Sequence, residues 1–184
     1  MTKSYQKILI FFLFIFLVYC ALIIGQSWDE GLELLKGKST LEYLLSLGEI
    51  DNKPFYRVNY SSIYWSLLYL LTKILPLQYE IEATHLINSF LSLCTIFGIR
   101  KLSKELFNSK VGNLVFLVLF FYPIFFGHMA INNKDMVLAF SHVWIAYLTL
   151  KYLKKQNIKD NLNRYVIYIA ILTAISTGVQ LVFL

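Results

Sequence analysis

The chain has 184 residues, of which 58% are of hydrophobic type and only 15% are charged, with a formal net charge of +6. A soluble domain is about one-quarter charged, and here the apolar residues are gathered into long runs, so an ordinary soluble enzyme is excluded in favour of a membrane protein. The Lys and Arg residues sit between these runs and form no separate basic domain, which sets nucleic acid aside as a partner and makes them signals of membrane topology.

The first apolar run, residues 8–25, follows Lys3 and Lys7. It is longer than the core of a cleaved signal peptide, and Tyr19 stands where a lipoprotein cleavage site wants a small residue, so it reads as a retained spanning helix. A long loop follows over residues 26–82. Within it Leu32, Leu34, Leu35, Leu41, Leu44 and Leu45 recur at roughly helical spacing, predicting short amphipathic helices. Residues 48–54 read as a turn region. An aromatic stretch over about 60–75 is too short to span and predicts an interfacial helix, with Tyr60, Tyr64, Trp65 and Tyr69 at headgroup level. Further spans are expected at 83–99, at 111–129 with Pro123 near its far end, at 136–150 and at 165–184. The expected fold is all-α, a single membrane domain with about five transmembrane helices.

Charge orients this layout. With the N-terminus cytoplasmic, eleven basic residues fall in the inside segments and six outside, while only Glu105 and Asp160 of the acids lie inside. The positive-inside rule therefore places the chain as a multi-pass protein of the plasma (inner) membrane, with its remaining acids extracytoplasmic.

Two acidic sites stand out on that face. Asp29 and Glu30 lie just past the first span, where partial desolvation and mutual repulsion raise carboxylate pKa values and favour general-base chemistry on a hydroxyl at the membrane surface. A solvated helix end would have the same sequence. Asp135 lies in the short outer break Asn132-Asn133-Lys134-Asp135, where it can cap the next helix and still be near the surface. Of the histidines, His85 and His128 are near outer helix ends, and His142 lies about two turns into the fourth span. A metal held by His85, His128 and an acid is allowed by the spacing but not required by it. Arg57 can hold a phosphate or a lipid headgroup. Cys20 and Cys94 read as small buried hydrophobes. No Walker, GxSxG, HExxH or dinucleotide-binding motif occurs.

The order of these elements resembles the GT-C superfamily of integral-membrane glycosyltransferases, in particular bacterial relatives of the protein O-mannosyltransferases (glycosyltransferase family 39). The resemblance rests on Trp28-Asp29-Glu30-Gly31 after one span, the aromatic interfacial helix, Thr84-His85 opening the second span, Pro123-Ile124-Phe125-Phe126-Gly127-His128, and Asn132-Asn133-Lys134-Asp135. Thr84 and Gln180 stand where the family pattern carries arginine. The resemblance implies a polyprenyl-phosphate-sugar donor, an acceptor hydroxyl on a lipid, protein or glycan, and inverting transfer on the outer face. It implies Asp29 as base, Glu30 assisting, and Arg57, His85, His128, Lys134 and Asp135 around the donor phosphate or acceptor. It also implies that the chain corresponds to the N-terminal module of a longer enzyme. A non-catalytic assembly partner or a small transporter subunit are the alternatives; the latter would need ionisable residues along a path through the bilayer, whereas the acids here gather on one side.

Overall fold

Long apolar runs punctuated by Gly, Pro and Asn leave the backbone few ways to satisfy its polar groups except by helices. The computed structural model describes residues 3–50, 63–74, 76, 79–156 and 162–180, and among these every regular element is a helix: α1 Lys3–Ile23, α2 Glu30–Leu45, α3 Ile63–Thr72, α4 Glu80–Leu106, α5 Ser109–Phe121, α6 Pro123–Ile131, α7 Asn133–Lys155 and α8 Asn163–Val179.

The local signals explain the boundaries. Glu30 and Glu33 occupy the first turn of α2, complementing its dipole. That helix closes through Leu47 and Gly48, both at positive φ (54° and 91°), with the Gly48 amide donating to the Tyr43 carbonyl at 2.9 Å. The Asn108 side chain caps α5 by accepting from the Lys110 and Val111 amides. Tyr122 is extended because Pro123 follows it, and Pro123 then opens α6 at the position where its missing N–H costs nothing.

α4 is the central element. Its 27 residues, about 40 Å at 1.5 Å per residue, pack against α1, α5, α6 and α7. One core cluster joins Leu13 and Leu17 of α1 to Ile96, Phe116, Phe120 and Met129. A second joins Tyr64, Trp65 and Leu68 of α3 to Val137 and Val179. Along α4 the buried positions are mostly small or polar: Ala83, Thr84, Asn88, Ser89, Ser92, Thr95 and Gly98. Such seams allow close helix approach where burying apolar surface from lipid gains nothing. At Gly98 an added Cβ would meet Val143 and the Trp144 ring of α7.

The five expected spans each find a helix, but five independent crossings are not what the structure shows. Among the described residues only α7 is by itself long and apolar enough to cross a membrane. The span expected at 111–129 is split: α5 and α6 pass that test only together, bent by 68° at the proline. The apolar part of α1 (Ile8–Ile23) and α8 are shorter apolar helices, and α4 interleaves its apolar residues with the polar seam. Of the interfacial helix expected over 60–75, the structure describes α3, Ile63–Thr72, while Tyr60 lies outside the described residues. Tyr64 and Trp65, expected at headgroup level, are buried, because α3 lies against α2, α4 and α8. The two cysteines are free and half-buried rather than fully buried.

Candidate functional site

The polar residues of α2, α4 and α7 meet where α1 and α6 end. Four carbonyls at the C-terminus of any helix lack intrahelical partners, and here α4 supplies donors to them. His85 Nδ1 lies 3.1 Å from the Ala21 carbonyl in the last turn of α1. The Ser92 hydroxyl donates to the Met129 carbonyl at 3.0 Å, and the Asn88 amide to that of Ala130 at 3.2 Å.

His85 Nε2 is 2.8 Å from Glu30 Oε1, and both side chains are fully buried. The partners of the two ring nitrogens are a carbonyl and a carboxyl group, so both nitrogens are engaged. The second Glu30 oxygen accepts from the Ser27 amide at 2.6 Å. Burial works to raise the Glu30 pKa, but the hydrogen bonds from His85 and Ser27 and the His85 charge outweigh it and hold the carboxyl below its usual range. Glu30 is thereby locked. Asp29 beside it is exposed, and as N-cap of α2 makes no side-chain cap bond. Trp28 is 93% exposed.

A second chain of contacts runs next to this pair. The Tyr64 hydroxyl donates to Asn88 Oδ1, the Asn88 amide donates to Asn133 Oδ1, and the Asn133 amide donates to Glu33 Oε2 at 2.5 Å. Four helices are thus joined by one relay ending on a half-buried carboxylate. Burial, the largest influence, raises the Glu33 pKa, and the charges of Asp29 and Glu30 push the same way against the Asn133 bond and Lys134. Lys36 is buried with its ammonium 4.5 Å from the centre of the Trp65 ring, a cation–π contact. Desolvation lowers its pKa; Glu33 opposes that and Lys134 reinforces it.

The residues expected from sequence divide accordingly. Glu30 and His85 come together with Asp29 next to Glu30 in the chain, and the Asp29 and Lys134 charges are within electrostatic reach of Glu33, that of Lys134 also of Lys36. Asp135 is exposed in the first turn of α7, bonded to Asn132 in both directions: its amide to Asn132 Oδ1 at 3.2 Å and its carboxylate to Asn132 Nδ2 at 3.1 Å. It thus completes a reciprocal cap with Asn132, the N-cap of α7, while its neighbour Asn133 is the residue that reaches Glu33. His128 is exposed on α6. His142 is also exposed, facing outward from α7 with Nδ1 2.9 Å from the Leu138 carbonyl, rather than turned toward neighbouring helices. Thr84 is fully buried and bonds its own helix at the Glu80 carbonyl. Gln180 is the half-buried C-cap of α8. Arg57 lies outside the described residues. Both ring nitrogens of His85 are taken, and no group of three or more His, Cys, Asp or Glu converges on a metal position among the described residues.

Glu33, Lys36 and Asn88 were not singled out from the sequence, and Tyr64 was expected at headgroup level rather than in the site. The available signal was periodic: Glu30, Glu33 and Lys36 (i, i+3, i+6) share one face of α2, and His85, Asn88 and Ser92 share one face of α4, where polar residues among apolar ones turn toward other helices.

A family model described as dolichyl-phosphate-mannose-protein mannosyltransferase matches residues 63–181, which covers α3 to α8 and includes His85, Asn88, His128, Asn133, Lys134 and Asp135. No curated protein and no solved structure matches the chain.

Proposed function

The chain belongs to the dolichyl-phosphate-mannose-protein mannosyltransferase family, and from that premise we propose that it transfers a sugar from a polyprenyl-phosphate-sugar donor to an acceptor hydroxyl at the extracytoplasmic face of a membrane it crosses several times. The family is one of mannosyltransferase-type glycosyltransferases. The donor, the inverting course, the multi-pass topology and the residue roles are this proposal's own.

The observation that carries it is the division of labour within one dipeptide. Glu30 is buried and fixed by His85 and Ser27, while Asp29 is exposed at the turn this anchoring holds in place. A base needs both access and a fixed position, and the locked neighbour supplies the second. In the proposed step the acceptor oxygen attacks the anomeric carbon opposite the phosphate. The new C–O bond forms as the bond to the phosphate oxygen breaks, the proton passes to Asp29, and polyprenyl phosphate leaves. Lys36, Lys134 and Arg57 are the cations proposed to meet the leaving phosphate. Glu33, held by Asn133, is proposed to position the acceptor or sugar hydroxyl beside Asp29. His128 and Asp135 remain proposed members of the acceptor side. Concentration of the ionisable residues Glu30, Glu33, Lys36, His85, Lys134 and Asp135 at one end of the helices supports chemistry at a surface over conduction along a path through the bilayer.

The test is sugar transfer from a labelled polyprenyl-phosphate-mannose donor by membranes containing the protein or its Asp29→Asn variant. The expected result is a loss of about 10²–10⁴-fold with unchanged folding. Unchanged turnover in the variant removes Asp29 as base.

A further inference from the structure

At the opposite end of α4 the structure carries a feature the transfer reaction does not use. Between α1, α4 and α5 two adjoining cavities, of about 390 and 140 Å³, share Ile10, Leu13, Phe97 and Phe116 as walls. The smaller one ends on two polar side chains, Arg100 and Asn113. Everything else lining them is aliphatic or aromatic. Apolar space of this size is not filled by water, so hydrocarbon is its natural occupant in a bilayer. The polar end is built rather than incidental: Arg100 Nε donates to Asn113 Oδ1 at 2.9 Å, which fixes the guanidinium plane and leaves its terminal fork to face an oxyanion.

Local charge specifies the sign of the ligand. Arg100 is followed by Lys101 and Lys104, with Lys110 at the start of α5. The one acid nearby in sequence, Glu105, is already held by Lys151 at 2.8 Å and Lys154 at 3.2 Å. Arg100 is fifteen residues along α4 from His85, about 22 Å by helical rise. One headgroup cannot reach both ends, so the phosphate of a donor seated at the outer-face site is not the group that meets Arg100. We propose that the groove is a binding site for one anionic phospholipid of the cytoplasmic leaflet, with an acyl chain against Leu13, Phe97 and Phe116 and its phosphate on Arg100.

This rests on the membrane topology given above but not on the transfer chemistry, and the test separates the two. The full chain is extracted in a non-ionic detergent, and retention of dioleoyl-phosphatidylglycerol is compared by native mass spectrometry with that of the phosphatidylcholine of identical chains. Wild type should hold the anionic lipid roughly tenfold better, the ratio set by a charge-assisted contact worth one factor of ten. Arg100→Gln should equalise the two lipids. Asn113→Leu, which keeps the cation but frees it, should reduce the preference, and Leu13→Trp, which fills the groove, should lower retention of both. Lys110→Gln should leave the preference intact. Equal retention by wild type overturns the proposal, as does a preference that survives Arg100→Gln or is lost equally in Lys110→Gln. Displacement of the anionic lipid by a polyprenyl phosphate through Arg100 overturns the assigned occupant. A chain recovered in the soluble fraction overturns both this site and the transfer reading, whereas lost transfer with the lipid preference retained overturns only the latter.

Discussion

Removing either partner of the Glu30–His85 pair should cost nearly as much as removing both. Glu30→Ala leaves the His85 ring fully buried with only the Ala21 carbonyl, and also orphans the Ser27 amide. Breaking a buried ion pair in this way costs about 3–5 kcal/mol, and in a chain of this size each kcal/mol lowers Tm by about 2–4 °C. A fall of about 6–20 °C is therefore expected. His85→Ala should cost a similar amount, because Glu30 then keeps only Ser27 as a donor while fully buried. In the double variant no unpaired charge remains, so the two losses should not add, with a coupling of about 2–3 kcal/mol. The assay is thermal denaturation of all four proteins in one detergent. Additive losses would refute the argument that a charged pair, rather than two independent packing contacts, holds the start of α2 to α4. The pH dependence has a fixed sign. The folded-state pKa of Glu30 is depressed, so its contribution is complete above the ordinary carboxylate value and disappears as pH falls through the lowered one. The excess stability of wild type over Glu30→Gln should shrink on acidification in that window.

Glu33 should show the opposite sign. Its folded-state pKa is raised, mainly by burial, so its stabilising contribution is complete below the ordinary carboxylate value and is lost as pH rises through the raised one. Glu33→Gln, which keeps an oxygen for the Asn133 amide, should therefore be as stable as wild type in acid and equal or more stable near neutrality, yet transfer more slowly; a variant with full turnover would assign Glu33 a purely structural part. Asn88→Leu removes the shared partner of Tyr64, Asn133 and the Ala130 carbonyl and should destabilise by about 3 kcal/mol, since each orphaned buried group costs 1–3 kcal/mol; denaturation midpoints check this. Gly37→Ala would drive a methyl group into the Trp65 carbonyl of α3, and overpacking of this kind costs about 1–3 kcal/mol, to be read as faster proteolysis of the α2–α3 region.

The presence, type and order of the helices were legible in the sequence because apolar runs and their breakers act locally: Pro123 ends α5 by its own geometry, and Asn108 caps by its own side chain. The placement of Asp29-Glu30 and of Asn132–Asp135 at helix starts was legible for the same reason, as polar residues at the edges of apolar runs. The sequence could not say that the 111–129 run bends by 68°, since a proline near the end of a span is compatible with either a kink or a stop. Nor could it assign different environments to two adjacent acids. Asp29 and Glu30 differ by one residue, but a helix turns about 100° per residue, so one carboxylate points into the bundle toward a histidine 55 positions away and the other points out. The same holds for Glu33 and Asn133, separated by 100 residues and joined at 2.5 Å. Local rules determined where the helices start and stop; only the seating of α2 on α3, with its side chains reaching His85 of α4 and Asn133 of α7, decided which charges are buried together, because burial and partnership belong to pairs of helices and not to any one stretch of sequence.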